Sequence, residues 1–111
     1  MKKKNIIKKE TEFTEIIHKC RYKKNSYFVI YYRKNNEFNR YGISVPKKTG
    51  KAHVRNKIKR RIKNIIDLNE KSIHNSYDYV IIIRKRLIEL NYVEIEKSLL
   101  SLISRIGEDD E

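Results

Sequence analysis

The chain is organised around the stretch Lys47-Lys-Thr-Gly-Lys-Ala-His-Val-Arg-Asn-Lys-Ile-Lys-Arg-Arg-Ile-Lys63, which is predicted to begin as a basic loop and to continue as a helix. From Ala52 onward, at about 100° per residue, one group of aliphatic side chains falls within an arc of about 120°: Val54, Ile58, Ile62, Ile65 and Ile66. An arc of this width is typical of a helix that packs on a hydrophobic core.

The opposite side of the same helix is almost wholly cationic. It carries one amide and five basic residues: Asn56, Lys57, Lys59, Arg60, Arg61 and Lys63. The first acid after Glu37 is Asp67, so few carboxylates are available nearby in sequence to neutralise this face. Because like charges at helical spacing repel one another, we expect a polyanion to be the counter-charge.

Composition supports a small basic domain. The chain has 111 residues, 27 Lys and Arg against 14 Asp and Glu, and a formal net charge of +13. Such a charge favours salt-dependent binding to phosphate backbones. The single cysteine, Cys20, excludes an internal disulfide framework. The apolar run at Ile6-Ile7 ends at Lys8, and no stretch approaches the roughly 20 residues of a spanning helix, so we expect a cytoplasmic protein without a membrane partner.

Two further helices are predicted. The first follows Thr11 as its N-cap, because four residues share one helical face: Phe13, Ile16, Ile17 and Cys20. The last begins at Asn91, which forms a capping-box pattern with Glu94, and Gly107 is expected to stop it.

Three apolar or aromatic runs are predicted to be strands, namely Tyr27–Tyr32, Arg40–Val45 and Tyr79–Ile83. Residues 21–25 are expected to be a polar connection, and a short extra strand is expected between Asn36 and Val45. The order α-β-β-(β)-α-β-α indicates an α+β two-layer sandwich with helices mainly on one side of a small mixed sheet. A shallow cleft is then expected on the other sheet face.

Two small residues share one face of the second predicted strand. Gly42 and Ser44 alternate with Tyr41 and Ile43, so they share one face of this strand. The pair predicts either a hollow or a close backbone approach on that side.

No catalytic constellation is recognisable. The histidines His18, His53 and His74 fall in three different elements, without metal-ligand spacing. We therefore expect no catalytic residue in the protein, and the sequence assigns no metal ligand. Binding is better supported, because lysines and arginines around Asn56 suit the phosphates and base edges of a folded RNA. A helix-turn-helix partner with a short turn is missing, which disfavours DNA as a partner.

The string Ser44-Val-Pro-Lys-Lys-Thr-Gly-Lys-Ala-His-Val-Arg-Asn-Lys-Ile-Lys-Arg60 resembles the signature of the bacterial ribonuclease P protein component. The positions that match are Lys47, Lys48, Gly50, Ala52, Arg55, Asn56, Lys59 and Arg60. The order of elements is similar over roughly residues 5–106. The chain departs from the family pattern at Lys57 and Lys63, where arginine is usual, and at Ile17, where a phenylalanine is frequent.

The resemblance implies a sandwich with a left-handed βαβ crossover and a protein that binds a catalytic RNA. The holoenzyme would remove the 5′ leader of precursor tRNA by hydrolysis that depends on magnesium, held mainly by the RNA. By resemblance, the contacts to the RNA subunit would be Arg55, Asn56, Lys57, Lys59, Arg60 and Lys63. The leader would be held by Phe13 and Tyr31 as stacking residues, Ile17 and Val29 as an apolar wall, and Lys47 and Lys48 as phosphate contacts.

On this interpretation the chain is a single domain of residues 1–111. It divides into a basic flexible tail at 1–9, a folded RNA-binding domain at 10–106 and an acidic tail at 107–111. Two alternatives stay open. A structural RNA-binding protein, such as a small ribosomal one, would explain the charge but not the ordered string. A basic protein-only nuclease would need a carboxylate or histidine cluster.

Overall fold

The computed structural model describes residues 1–107, so residues 108–111 of the predicted acidic tail lie outside the described residues. The helices and strands are, in chain order, α1 Glu10–Lys19, β1 Arg21–Lys24, β2 Phe28–Lys34, β3 Arg40–Ser44, α2 Ala52–Leu68, β4 Tyr77–Ile83 and α3 Tyr92–Ser104. They confirm the α+β class. No helix within the described range is long and apolar enough to cross a membrane.

The four strands form one mixed sheet in the order β1-β2-β4-β3. β2 pairs antiparallel with both β1 and β4, whereas β3 and β4 are parallel neighbours connected through α2. This βαβ unit was expected, and the left-handed sense of its crossover stays a prediction from the resemblance. β4 is central and covered on both faces, which explains its nearly continuous apolar sequence.

The main core lies between the sheet and the two helices α2 and α3. β2 contributes Phe28, Ile30 and Tyr32 to this core. The predicted apolar stripe of α2 is confirmed, because Ile58, Ile62, Ile65 and Ile66 are buried and Val54 packs against them. The predicted capping box of α3 is also confirmed: the Asn91 side chain accepts from the Glu94 amide at 2.9 Å, and Glu94 accepts from the Asn91 amide at 3.0 Å.

α1 packs on the other face of the sheet. Its Ile16 is fully buried and forms a second, smaller apolar cluster with Val80 and Ile7. Phe13 and Ile17 of α1 and Tyr31 of β2 are only partly buried at the border of this cluster. One short helix therefore covers part of this face and leaves a partly exposed strip beside it.

Three predictions about local structure are wrong. Residues 21–25 are not a connection, because residues 21–24 form β1, the edge strand paired with β2, and no separate extra strand lies between Asn36 and Val45 besides β3. The polar sequence concealed β1, since an edge strand is defined by backbone pairing and most of its side chains face water. Thr11 is not the N-cap of α1, which begins at Glu10 after Lys9, without a side-chain cap.

The segment 1–9, expected to be a flexible tail, lies along β3. The Ile7 amide donates to the Tyr41 carbonyl at 2.9 Å, and Asn5 Nδ2 donates to the Asn39 carbonyl at 2.7 Å. The Met1 amino group pairs with Asp67 at 2.7 Å. Burial of Ile7 explains this placement, because the side chain completes the apolar cluster under α1.

Candidate nucleic-acid interface

The outer face of α2 is a surface of unpaired positive charge. Asn56, Lys57 and Arg60 are exposed, whereas Lys59 and Lys63 are partly exposed. Within residues 1–107, no lysine or arginine of α2 forms an ion pair with a carboxylate. Asp67, the acid of this helix, is instead paired with the Met1 amino group. The face is therefore available to a polyanion, and its cations repel one another until one binds.

Arg55 differs from the other predicted contacts to RNA. Its Nε donates a hydrogen bond to the Gly50 carbonyl at 3.1 Å, and the side chain is only partly exposed. This bond connects the first turn of α2 to the basic loop that precedes it. Substitution of Arg55 would therefore disturb the loop as well as remove a charge.

The apolar residues predicted for the leader come together on the α1 face of the sheet. Tyr31 lies between Tyr22 and Val80 in the cross-strand register, and Val29 lies beside Ile82. Phe13 and Ile17 reach the same strip from α1, and all four predicted residues are partly buried. Half-buried apolar and aromatic side chains in one strip are suited to contact with unstacked bases.

Gly42 makes room for the ring of Phe13. A Cβ atom built at Gly42 would lie 2.4 Å from Cε2 of Phe13, closer than carbon atoms approach in folded proteins. Of the two outcomes predicted for the small residues of β3, a hollow or a close approach, the structure shows a close approach at Gly42, and its partner is the aromatic ring of α1. The glycine therefore sets how deeply Phe13 enters the cleft.

Lys47 and Lys48 are exposed in the turn that follows β3. Ser44, the last residue of that strand, lies in register with Ile82 and thus in the same row as Val29. The two lysines therefore follow Ser44 in the chain at the end of the apolar strip where Val29 lies. The cationic face belongs to α2, which packs on the opposite side of the sheet, so the predicted residues form two separate surfaces.

Tyr22 of β1 was missed by the sequence analysis. It is the register partner of Tyr31, and the centroids of the two rings lie 5.3 Å apart at an interplanar angle of 44°. Its side chain is 52% exposed. The signal in the sequence was the turn residue Asn25, whose side chain accepts hydrogen bonds from the amides of Tyr27 and Phe28. This turn connects β1 to β2 as a hairpin and so places Tyr22 on a strand.

A buried charge network was also missed. Asp78 of β4 is fully buried between its register partners Arg33 and Arg40, which donate to it at 2.8–2.9 Å. The same arginines reach α1, where Arg40 pairs with Glu12 at 2.8 Å and Arg33 with Glu15 at 3.0 Å. The network thus joins α1 to the sheet at the level of the cleft. The available signal in the sequence was one acidic residue, Asp78, within an apolar strand. An arginine in each neighbouring strand, Arg33 in β2 and Arg40 in β3, was able to pair with it.

The ionisation of Asp78 follows from these contacts. Burial alone would raise the pKa of Asp78, but hydrogen bonds from Arg40, Arg33 and Asn35 outweigh it and hold this pKa below its usual range. The Arg40 guanidinium, held by Asp78 and Glu12, has its pKa raised in turn. The carboxylate is therefore ionised and fully engaged at neutral pH.

The described residues do not assemble a metal site. Among residues 1–107, no group of three or more His, Cys, Asp or Glu side chains is placed to hold a metal ion. His18, His53 and His74 are exposed and lie in separate parts of the fold. Asp78 is occupied by two arginines and does not present its carboxylate to solvent.

Comparison with known proteins gives a consistent relationship. The sequence model of the family described as Ribonuclease P matches residues 1–107. The chain is 50% identical over 107 residues to the ribonuclease P protein component of Mesoplasma florum, covering 95% of this chain and 97% of that protein. It is 47% identical over 108 residues to the protein of the same name from Mycoplasma capricolum, covering 96% and 99%.

A solved structure agrees with these relatives. The ribonuclease P protein from Thermotoga maritima superposes with a TM-score of 0.82 at 37% sequence identity, over 86% of this chain and 92% of that one. The chain therefore belongs to the bacterial ribonuclease P protein family, the protein component of the ribonucleoprotein endoribonuclease that processes tRNA precursors.

Proposed function

We propose that the cationic face of α2 binds the catalytic RNA and that the strip beside α1 holds the single-stranded 5′ leader of precursor tRNA. Family membership implies a ribonuclease P RNA as partner and a tRNA precursor as substrate. The observation that carries the division of roles is the placement of the two surfaces on opposite sides of the sheet. One protein is thereby suited to contact both RNAs at once.

The residues of α2 suit a folded RNA. Asn56, Lys57, Lys59, Arg60 and Lys63 present donors along one helix face, with few acids to compete for them. Arginine forks bind phosphates with two parallel hydrogen bonds, whereas lysines act as point charges. Arg55 contributes through the loop that it fixes at the Gly50 carbonyl. This surface supplies affinity that depends strongly on salt.

The strip beside α1 suits an unpaired strand. Phe13 and Tyr31 offer ring surfaces, Ile17 and Val29 border them, and Lys47 and Lys48 follow from the end of β3 as phosphate contacts. Mature tRNA has no leader to place there. Leader binding therefore favours the precursor over the product.

Ribonuclease P is a nuclease and generally metal-dependent, and we assign the ion to magnesium held mainly by the RNA. The described carboxylates are not grouped to hold it. The protein's part is to bind the leader and so align the scissile phosphate with the RNA active centre. Such alignment lowers the barrier by positioning rather than by proton transfer. Because this substrate is a tRNA precursor, we place the protein in the cytoplasm.

The test is cleavage of a leader-bearing precursor tRNA at low magnesium, with ribonuclease P RNA alone, protein alone, and both. We expect cleavage either to require both the RNA and the protein or to be much faster with both than with the RNA alone. Cleavage by the protein alone would instead reveal a nuclease site in the chain. If the protein never alters the RNA's activity and binds any structured RNA equally well, a general RNA-binding role replaces the proposal.

The leader cleft is tested with Tyr31→Ala. We expect this variant holoenzyme to bind precursor tRNA more weakly by about 1–3 kcal/mol, the scale of one base–aromatic stack. Binding of mature tRNA should hardly change, and Tyr31→Phe should preserve the stack. An equal loss for precursor and mature tRNA would show that Tyr31 supports the fold rather than the leader.

A further inference from the structure

We infer that Tyr22 is a second stacking residue for the leader, which continues from the α1 cleft across Tyr31 and over the edge strand β1. This inference rests on the proposed leader-binding role of the cleft. Tyr22 is absent from the motif that identified the family and from the residues predicted to touch the leader. Its contact with Tyr31, its exposure and its neighbours on β1 carry the argument.

The two tyrosine rings form one continuous aromatic surface. They are register partners on adjacent strands, with ring centroids 5.3 Å apart and planes inclined by 44°. An inclined pair cannot share one base between parallel faces, so each ring presents its own face. Tyr31 is half-buried beside α1, whereas Tyr22 is 52% exposed at the outer edge. The exposed ring is therefore open to a base that follows the one on Tyr31.

The side chains around Tyr22 suit a nucleotide backbone. Lys24 lies two residues further along β1, in register with Val29, and therefore projects from the same face of the sheet as Tyr22. It is exposed. A lysine at that spacing is able to meet the phosphate of a nucleotide whose base lies on Tyr22. Aromatic rings interleaved with cations are the usual construction of surfaces that bind single strands.

The α1 side of the cleft offers little aromatic surface, which explains why a stacking residue on β1 would be useful. Ile17 is aliphatic, so Phe13 is the one Phe, Tyr or Trp side chain of α1. Aromatic area in this chain is instead found on the opposite side of Tyr31, at Tyr22. The leader is thus expected to gain stacking from β1, and only leaders long enough to reach β1 benefit.

The experiment compares Tyr22→Leu with Tyr22→Phe in the reconstituted holoenzyme. Leucine retains an apolar cover for Tyr31 without an aromatic face, whereas phenylalanine keeps the face and loses only the hydroxyl. Binding is measured for mature tRNA, for a precursor with a very short leader, and for one with a leader of about ten nucleotides. Phe38→Ala serves as a control, because Phe38 is also exposed but lies beneath Lys4, away from the cleft.

We expect Tyr22→Leu to weaken binding of the long-leader precursor about fivefold or more, the low end of one base–aromatic stack. The short-leader precursor and mature tRNA should bind as before, and Tyr22→Phe and Phe38→Ala should resemble the unsubstituted protein. Unchanged long-leader binding by Tyr22→Leu, or an equal loss for all three RNAs, would overturn the inference.

Tyr31→Ala, measured in parallel, separates this inference from the proposed function. If Tyr31→Ala impairs precursor binding while Tyr22→Leu does not, the leader occupies the cleft but does not cross β1. If neither substitution distinguishes precursor from mature tRNA, the leader-binding role of the whole strip fails.

Discussion

Gly42→Ala tests whether the Phe13 ring is held in the cleft by the absence of a side chain on β3. The new Cβ would lie 2.4 Å from Cε2 and about 3.0 Å from Cδ2 of Phe13. The ring must withdraw by about 1 Å to restore ordinary carbon–carbon contact. It cannot do so freely, because α1 is joined to the sheet through the ion pairs of Glu12 and Glu15 with Arg40 and Arg33.

Overpacking of this kind costs about 1–3 kcal/mol, and we expect Gly42→Ala to lower the free energy of unfolding by that amount. Urea denaturation at neutral pH measures it, with the slope against denaturant unchanged if the folded state stays compact. We also expect precursor tRNA to lose about 1 kcal/mol or more of affinity relative to mature tRNA, because Phe13 is displaced from its stacking position.

A double-mutant cycle with Phe13→Ala isolates the cause. Without the ring, Gly42→Ala meets no obstacle, so its cost should fall by about 1 kcal/mol or more relative to the unsubstituted background. Ser44→Ala is the matched control, since it changes a small residue on the same face of β3 without adding volume. Additive effects of the two substitutions, or a Gly42→Ala protein of normal stability and leader affinity, would refute the contact as described.

Two further predictions concern charge. Asp78→Asn should destabilise the fold by about 2–3 kcal/mol at neutral pH, because Arg33 and Arg40 lose the buried carboxylate that they share. The loss is limited because water still reaches both arginine side chains, which are about a quarter exposed. Since the folded-state pKa of Asp78 is lowered, its stabilisation is present above the unfolded pKa and is lost as pH falls through the folded value. Urea titrations should therefore show stability falling below about pH 4 in the unsubstituted protein and a flatter profile in Asp78→Asn; parallel profiles would contradict this. Arg60→Ala should weaken docking on the catalytic RNA and reduce the slope of log affinity against log salt concentration by about 0.7–1, without altering the free energy of unfolding. Lys97→Ala on α3 should change neither the affinity nor the slope. Equal effects of the two substitutions would remove the special role of α2.

The sequence was sufficient for the elements whose residues repeat at a helical or strand period. The stripe of α2, the capping box at Asn91 and the apolar strand β4 were all predicted, because burial imposes a pattern on the residues themselves. The cationic face of α2 was equally visible, since charge of one sign over a dozen residues has no packing explanation. The ordered string around Arg55 and Asn56 then indicated the family.

The sequence was insufficient where an interaction joins residues that are distant along the chain. β1 has no apolar period and exists because its backbone pairs with β2, so its ring at Tyr22 stayed hidden. The depth of Phe13 in the cleft is set by Gly42, nearly thirty residues later in the chain. The position of α1 on the sheet is set by arginines that the Asp78 carboxylate of β4 holds. Periodicity in the sequence shows which face of an element is buried. The partners that meet on that face depend on strand order and register, which are properties of the folded chain.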